Sequence, residues 1–231
     1  MTPHLRIASY NLQKCVGLDL RRRPDRALQV IQALNAQIVV LQEADKRLPP
    51  RPAALPHGMA EAEGWHPVPF GEPGGSLGWH GNAMLLRDSV QVLETSHINL
   101  PGLEPRGAVR ADLMTAIGPL RVVGAHLGLI RRYRLLQIAA ITHHLRDLPD
   151  MPTVLTGDFN EWGSGMAMDT AAGTLDFIPA RPSFPSPRPI APLDRFALSR
   201  DLTATDHGTH NAAPARVASD HLPIWANLRL R

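Results

Sequence analysis

Apolar residues along this chain fall into short blocks that end at a polar residue, and two spacings among them predict alternating strands and helices. Ile38-Val39-Val40-Leu41 and Thr153-Val154-Leu155-Thr156 are apolar runs of strand length and read as buried strands. Alternation in Leu5–Tyr10 and Ala108–Leu113 predicts further strands, and Asn82–Arg87, Val90–Leu93, Leu120–Ala125, Leu193–Leu198 and Leu222–Leu228 also read as strands. The short link from Arg87 to Val90 predicts a hairpin between the two strands it joins. Behind Pro24-Asp25, the apolar positions Ala27, Val30, Ile31 and Leu34 recur at i, i+3, i+4 and i+7, the stripe of a helix packed on a sheet. A second helix is predicted from Arg131 to Arg146, with Leu135, Ile138, Thr142 and Leu145 on one face, and a short one within Ala167 to Phe177.

What stops the blocks is chemically selective. Predicted strand ends carry Asn11, Glu43, His126, Asp158, Asn160, Asp194 and the pair Asp220-His221. In Gly157-Asp158-Phe159-Asn160, an extended chain puts Asp158 and Asn160 on one side, although the same residues suit a turn equally well. Glu43 follows four large apolar residues, where an unpaired carboxylate is costly and a cation offsets the cost; a solvated strand end is the other reading. Arg106 and Arg110, at and within a predicted strand, suit either phosphate binding or ion pairs. Arg21-Arg22-Arg23 reads as a solvated cluster. Thr205–His210, with His207 and His210, has metal-ligand residue types but no apolar strand to hold it in place. Gly71 to Gly81 holds five glycines and no P-loop lysine, so it reads as a flexible loop carrying Trp79.

Composition narrows the classes. A chain of 231 residues with 44% hydrophobic and 19% charged positions fits a single globular domain spanning 1–231 and excludes wholesale disorder. A net charge of +3 suits an anionic substrate without demanding nucleic acid. Cys15 is the only cysteine, which excludes an internal disulfide or a thiolate metal cluster and fits a cytoplasmic setting. No apolar run approaches membrane-spanning length. The prolines gather between Leu48 and Pro73 and between Pro179 and Pro192, which read as surface loops.

Among the strand-end donors, oxygen outnumbers nitrogen and sulfur is absent, which points to a hard cation, Mg²⁺ or Mn²⁺. Such a set suits attack of water on a phosphate ester. In order, Ser9-Tyr10-Asn11, Leu41-Gln42-Glu43, Gly81-Asn82-Ala83, Ala125-His126-Leu127, Gly157-Asp158-Phe159-Asn160, Leu193-Asp194 and Ser219-Asp220-His221 resemble the endonuclease/exonuclease/phosphatase superfamily of metal-dependent phosphoesterases over nearly the whole chain.

The resemblance implies an α/β fold, a four-layer α/β/β/α sandwich of two mixed β-sheets packed face to face. It implies that Glu43, with Asn11 and Asp220, holds the metal, and that Asp158 orients or deprotonates the attacking water. Asn160 positions the water and a phosphate oxygen, His126 contacts the phosphate, and His221, oriented by Asp194, stabilises the transition state. Arg106 and Asn82 are further phosphate-binding candidates. Gln13 stands where many repair nucleases of the family carry an acid. The expected partner is an anionic phosphoester: a small or lipid phosphodiester, with DNA or RNA cleavage as the alternative and a non-catalytic phosphate-binding module as a remote one. A Ser-His-Asp hydrolase is excluded, because Ser219, Asp220 and His221 are sequence neighbours and no Gly-x-Ser-x-Gly elbow exists.

Overall fold

The computed structural model describes residues 4–45, 52–71, 75–163 and 166–231. Its strands are β1 (Leu5–Asn11), β2 (Ile38–Gln42), β3 (His66–Pro67), β4 (Ala83–Leu86), β5 (Gln91–Asn99), β6 (Gly107–Thr115), β7 (Gly118–His126), β8 (Thr153–Asp158), β9 (Asp176–Phe177), β10 (Asp194–Leu198), β11 (Leu202–Thr209) and β12 (Ile224–Leu230). The helices are α1 (Pro24–Ala33), α2 (His57–Ala62), α3 (Arg131–Arg146), α4 (Met166–Ala172) and α5 (Ala215–Ala218). Two six-stranded sheets form, in the orders β11-β12-β1-β2-β4-β3 and β5-β6-β7-β8-β10-β9. Both are mixed, since β1 runs parallel to β2 and β7 parallel to β8 while their other pairings are antiparallel.

Pleating explains why the apolar runs are continuous. Ile38 and Val40 point into the layer between the sheets, against Val109, Val122, Val154 and Phe196. Val39 and Leu41 point the other way, against Ala27, Val30 and Ile31 of α1. In the second sheet Val123 and Leu155 meet Ile138 and Ile141 of α3. A strand buried on both faces needs no polar alternation, and the four-layer sandwich follows from that.

Two local expectations are corrected. β4 and β5 are not a hairpin: they lie in different sheets, with β5 paired along β6. After β4 the chain turns at Arg87–Val90, where Val90 N–H donates to Arg87 O, and Val90 buries itself between the sheets. A link this short closes a hairpin or steps across the roughly 10 Å between stacked sheets equally well. Thr205–His210 is not a free loop, because residues through Thr209 form β11, an edge strand. There His207 Nε2 lies 3.0 Å from Pro179 O, and the strand's polar character reflects its exposed edge.

Trp79 is also held in place: its ring stacks on His97 at 4.5 Å between centroids and packs against the layer between the sheets. Residues 72–74 of that glycine-rich stretch lie outside the described residues.

Candidate active site

The strand register carries the polar strand ends to one edge of the sandwich. Asn11 is level with Gln42, His126 with Asp158, and Asp158 with Asp194. Asn11 Nδ2 donates across the gap between sheets to Asp158 Oδ2 at 3.0 Å. Over this junction lies a pocket of about 550 Å³ that Asn11, Glu43, His126, Asp158, Asn160 and His221 help to line.

Asp158 sits at the centre. Besides Asn11, its Oδ2 has His126 Nε2 at 3.4 Å and His221 Nε2 at 3.6 Å, and its Oδ1 accepts the Asn160 backbone N–H at 2.9 Å. That last bond replaces the pleat expected from alternation: β8 stops at Asp158, and Asn160 takes a left-handed backbone with φ 51°. Asparagine tolerates that conformation, and the turn aims its side chain back, where Nδ2 donates to Leu127 O at 2.9 Å. Gly157 is required just before. At φ +149° a Cβ there would lie 1.8 Å from Ala125 O on the paired strand β7.

The two histidines are driven apart in charge. Burial lowers the pKa of both. For His221 it is outweighed by Asp194, then Asp158 and Asp220, which push the imidazole up to about 10. Its Nδ1 lies 2.8 Å from Asp194 Oδ2, and Ser183 Oγ donates to that same oxygen at 2.6 Å. Asp194 Oδ1 is buried without a hydrogen-bond partner among the described residues. His126 has only Asp158 opposing its burial and drops to about 4. At neutral pH the site therefore pairs a cationic His221 with a neutral His126, a split that separates donor from acceptor roles.

Two donor groups could hold a divalent ion. Ligand atoms of Asp158, Asp194 and His221 lie within 4.8 Å of one another. A His221 kept protonated and bonded through Nδ1 offers no lone pair, however, so this triangle fits a proton relay better than a cage. Glu43 and Asp220 form the second group with Asn11. Burial, and then the charge of Glu43, raise the pKa of Asp220 against the lowering effect of His221. Glu43 follows β2 with a left-handed φ of 49°, and the Lys14 ammonium is ion-paired to it. A cation thus already stands beside Glu43, and the all-oxygen donor set suits a hard ion. Gln13 does not face this group as an acid would; its Oε1 accepts the Asp220 N–H at 3.0 Å and fixes that residue's backbone.

Arg106 also lines the pocket, held by Glu104. Asn82 is fully buried, and its Nδ2 donates to Gly107 O at 2.8 Å, which ties the residue before β4 to the start of β6. Arg110 is buried against Glu94 and Asp112 on β5 and β6 and belongs to an ion-pair network of the second sheet. Of the arginine cluster, Arg23 pairs with Asp25, and Arg22 donates to Ala54 O at 2.7 Å. The sequence reading missed Lys14, Ser183, Phe184 and Trp162. Phe184 packs 5.0 Å from the His221 ring and 5.8 Å from Trp162, giving the pocket an aromatic wall. No periodicity marks these residues, because they come from loops; only the proline-rich stretch around Phe184 signalled a long ordered loop.

The sequence model of the Endonuclease/Exonuclease/phosphatase family matches residues 8–221, a span that runs from within β1 to His221 and contains Asn11, Glu43, His126, Asp158, Asn160, Asp194 and Asp220. The chain belongs to this family. Its members are hydrolases of phosphoesters. The uncharacterized protein YbhP of Escherichia coli K12 is 31% identical over 168 residues, covering 66% of this chain and 64% of that protein. The chain's match thus spans less than two thirds of that relative's length. Solved structures share the fold. A mannosyl-6-phosphatase from Bacteroides thetaiotaomicron superposes with TM-score 0.76 at 20% identity, covering 97% of this chain and 99% of that one. D. rerio TDP2 complexed with single-strand DNA product superposes with TM-score 0.74 at 18% identity over 98% and 99%.

Proposed function

We propose that this chain is a Mg²⁺- or Mn²⁺-dependent phosphoesterase that hydrolyses a phosphodiester by attack of water. The observation that carries the reading is the Asp158 carboxylate, fixed by Asn11 and set between a neutral His126 and a cationic His221. Asp158 takes the proton of the attacking water, and Asn160 orients that water. His221, kept charged by Asp194, donates to a phosphoryl oxygen, with His126 and Arg106 as further phosphate contacts. Glu43, Asp220 and Asn11 would hold the divalent cation, which when bound neutralises charge on the phosphoryl oxygens.

The fold itself does not choose the ester, as a sugar phosphatase and a DNA-product complex among its structural relatives make plain. A small or lipid phosphodiester is favoured by the modest charge of +3 and by a pocket wall of Leu129, Trp162 and Phe184. DNA or RNA cleavage is the second reading, favoured by the single-strand DNA product held on the same fold in TDP2. A cytoplasmic setting fits the single, buried Cys15. Among the described residues, no helix is long and apolar enough to cross a membrane.

The test is a substrate panel with Mg²⁺ or Mn²⁺: bis-p-nitrophenyl phosphate, phospholipids, inositol phosphates, abasic duplex, single-stranded DNA and RNA. Hydrolysis of a diester that EDTA abolishes and added Mn²⁺ restores is expected. Diester hydrolysis indifferent to EDTA refutes the metal-assisted reading.

A further inference from the structure

Four large apolar side chains face solvent: Leu129, 66% exposed, and Trp162, 62%, line the pocket, while Leu103, 78%, and Ile130, 50%, each stand next in sequence to a lining residue and form its rim. They come from three segments that polar groups brace together. Glu104 Oε1 accepts the Leu129 N–H at 2.9 Å, clipping the 101–106 loop to the turn before α3. Gln137 secures both partners, donating to Pro101 O at 2.9 Å and accepting the Gly128 N–H at 2.8 Å. Buried Arg134 reaches from Leu129 O at 2.6 Å to Glu161 Oε2 at 3.1 Å, which draws Trp162 alongside. Exposed apolar residues are ordinary when scattered, but several held together at the mouth of a pocket mark a contact surface.

The charge around them has one sign. Arg131 and Arg132 are exposed on the first turn of α3. The neighbouring acids are already engaged: Glu104 pairs with Arg106, and Glu161 pairs with Arg134 while Arg131 stands 3.9 Å away. Arg132 has no carboxylate partner among the described residues. Branched aliphatic groups flanked by arginines suit the boundary between acyl chains and anionic headgroups. Nucleic acid bases would call for flat rings, and three of the four rim groups are Leu or Ile.

We propose that this rim docks the protein on an anionic phospholipid surface, with the pocket turned toward the headgroups. A lipid phosphoester then reaches Asp158 directly from the bilayer. That consequence rests on the phosphoesterase reading, whereas the docking itself does not.

The test is co-sedimentation with phosphatidylcholine vesicles with and without phosphatidylserine, beside turnover of soluble bis-p-nitrophenyl phosphate. The wild-type protein is expected to partition onto the phosphatidylserine vesicles and to leave them at high salt. Leu103→Ser/Ile130→Ser is expected to lower the partition coefficient about tenfold. Arg132→Glu should lower it about fivefold. Soluble turnover stays at the wild-type level in both, which shows that they fold. Absence of wild-type partition, or equal partition by the variants, overturns the proposal. So does a loss confined to binding of a single-stranded oligonucleotide. A wild-type protein that binds vesicles but leaves the soluble diester intact refutes the phosphoesterase reading alone.

Discussion

Asp158→Ala is expected to lower turnover of bis-p-nitrophenyl phosphate by about a thousandfold or more. Four polar groups of the centre are arranged around this carboxylate: Asn11 donates to it, both histidines stand within 3.6 Å of it, and the Asn160 backbone is pinned by it. The fold tolerates the loss, because the core lies in the three apolar layers, and removing a buried carboxylate also removes its desolvation cost. Thermal unfolding should shift by no more than about 5 °C. Asp158→Asn sharpens the test, since the amide keeps the shape but cannot accept the water's proton. Wild-type-like turnover in the asparagine variant rules out Asp158 as the base.

Asp194→Asn is expected to cost about a hundredfold at neutral pH and much less in acid. The sign follows from the forces on His221. Burial favours the neutral imidazole, and Asp194 is the first of the acids that outweigh it and hold the ring charged up to about 10. Without that carboxylate, burial prevails more easily and the pKa falls. His221 then loses its proton as the pH rises through the lowered value, and turnover falls with it. The alkaline limb of the pH–rate profile should move down by at least about one pH unit. A uniform loss at every pH, with the limb unmoved, would show that Asp194 matters only for structure.

The parts of the site that the sequence made readable are those delivered by regular strands. Glu43, His126 and Asp158 each end an apolar run, and a run buried on both faces announces its end by the polar residue that closes it. The fold class was readable from the family resemblance that the ordered motifs carry. The hairpin misassignment has a different origin: local spacing says how far a link reaches, not which sheet receives it. Polarity misled at β11, because an edge strand exposes groups that look like those of a loop. Asn160 and Glu43 reach the pocket through left-handed backbone turns, which composition hints at for asparagine but not for glutamate. Ser183 and Lys14 were out of reach, since their positions depend on how a proline-rich loop and the turn after β1 fold over the sheet edge.

The central claim is that Glu43, from one sheet, holds a divalent ion beside the Asp158 centre of the other. Mn²⁺ titration followed by electron paramagnetic resonance tests it on the wild-type protein, Glu43→Gln and Asp194→Asn. Glu43→Gln is predicted to weaken Mn²⁺ binding by about tenfold or more, and Asp194→Asn to leave it near the wild-type value. Binding that survives in Glu43→Gln and disappears in Asp194→Asn would instead place the ion on the Asp158–Asp194–His221 triangle and contradict the account.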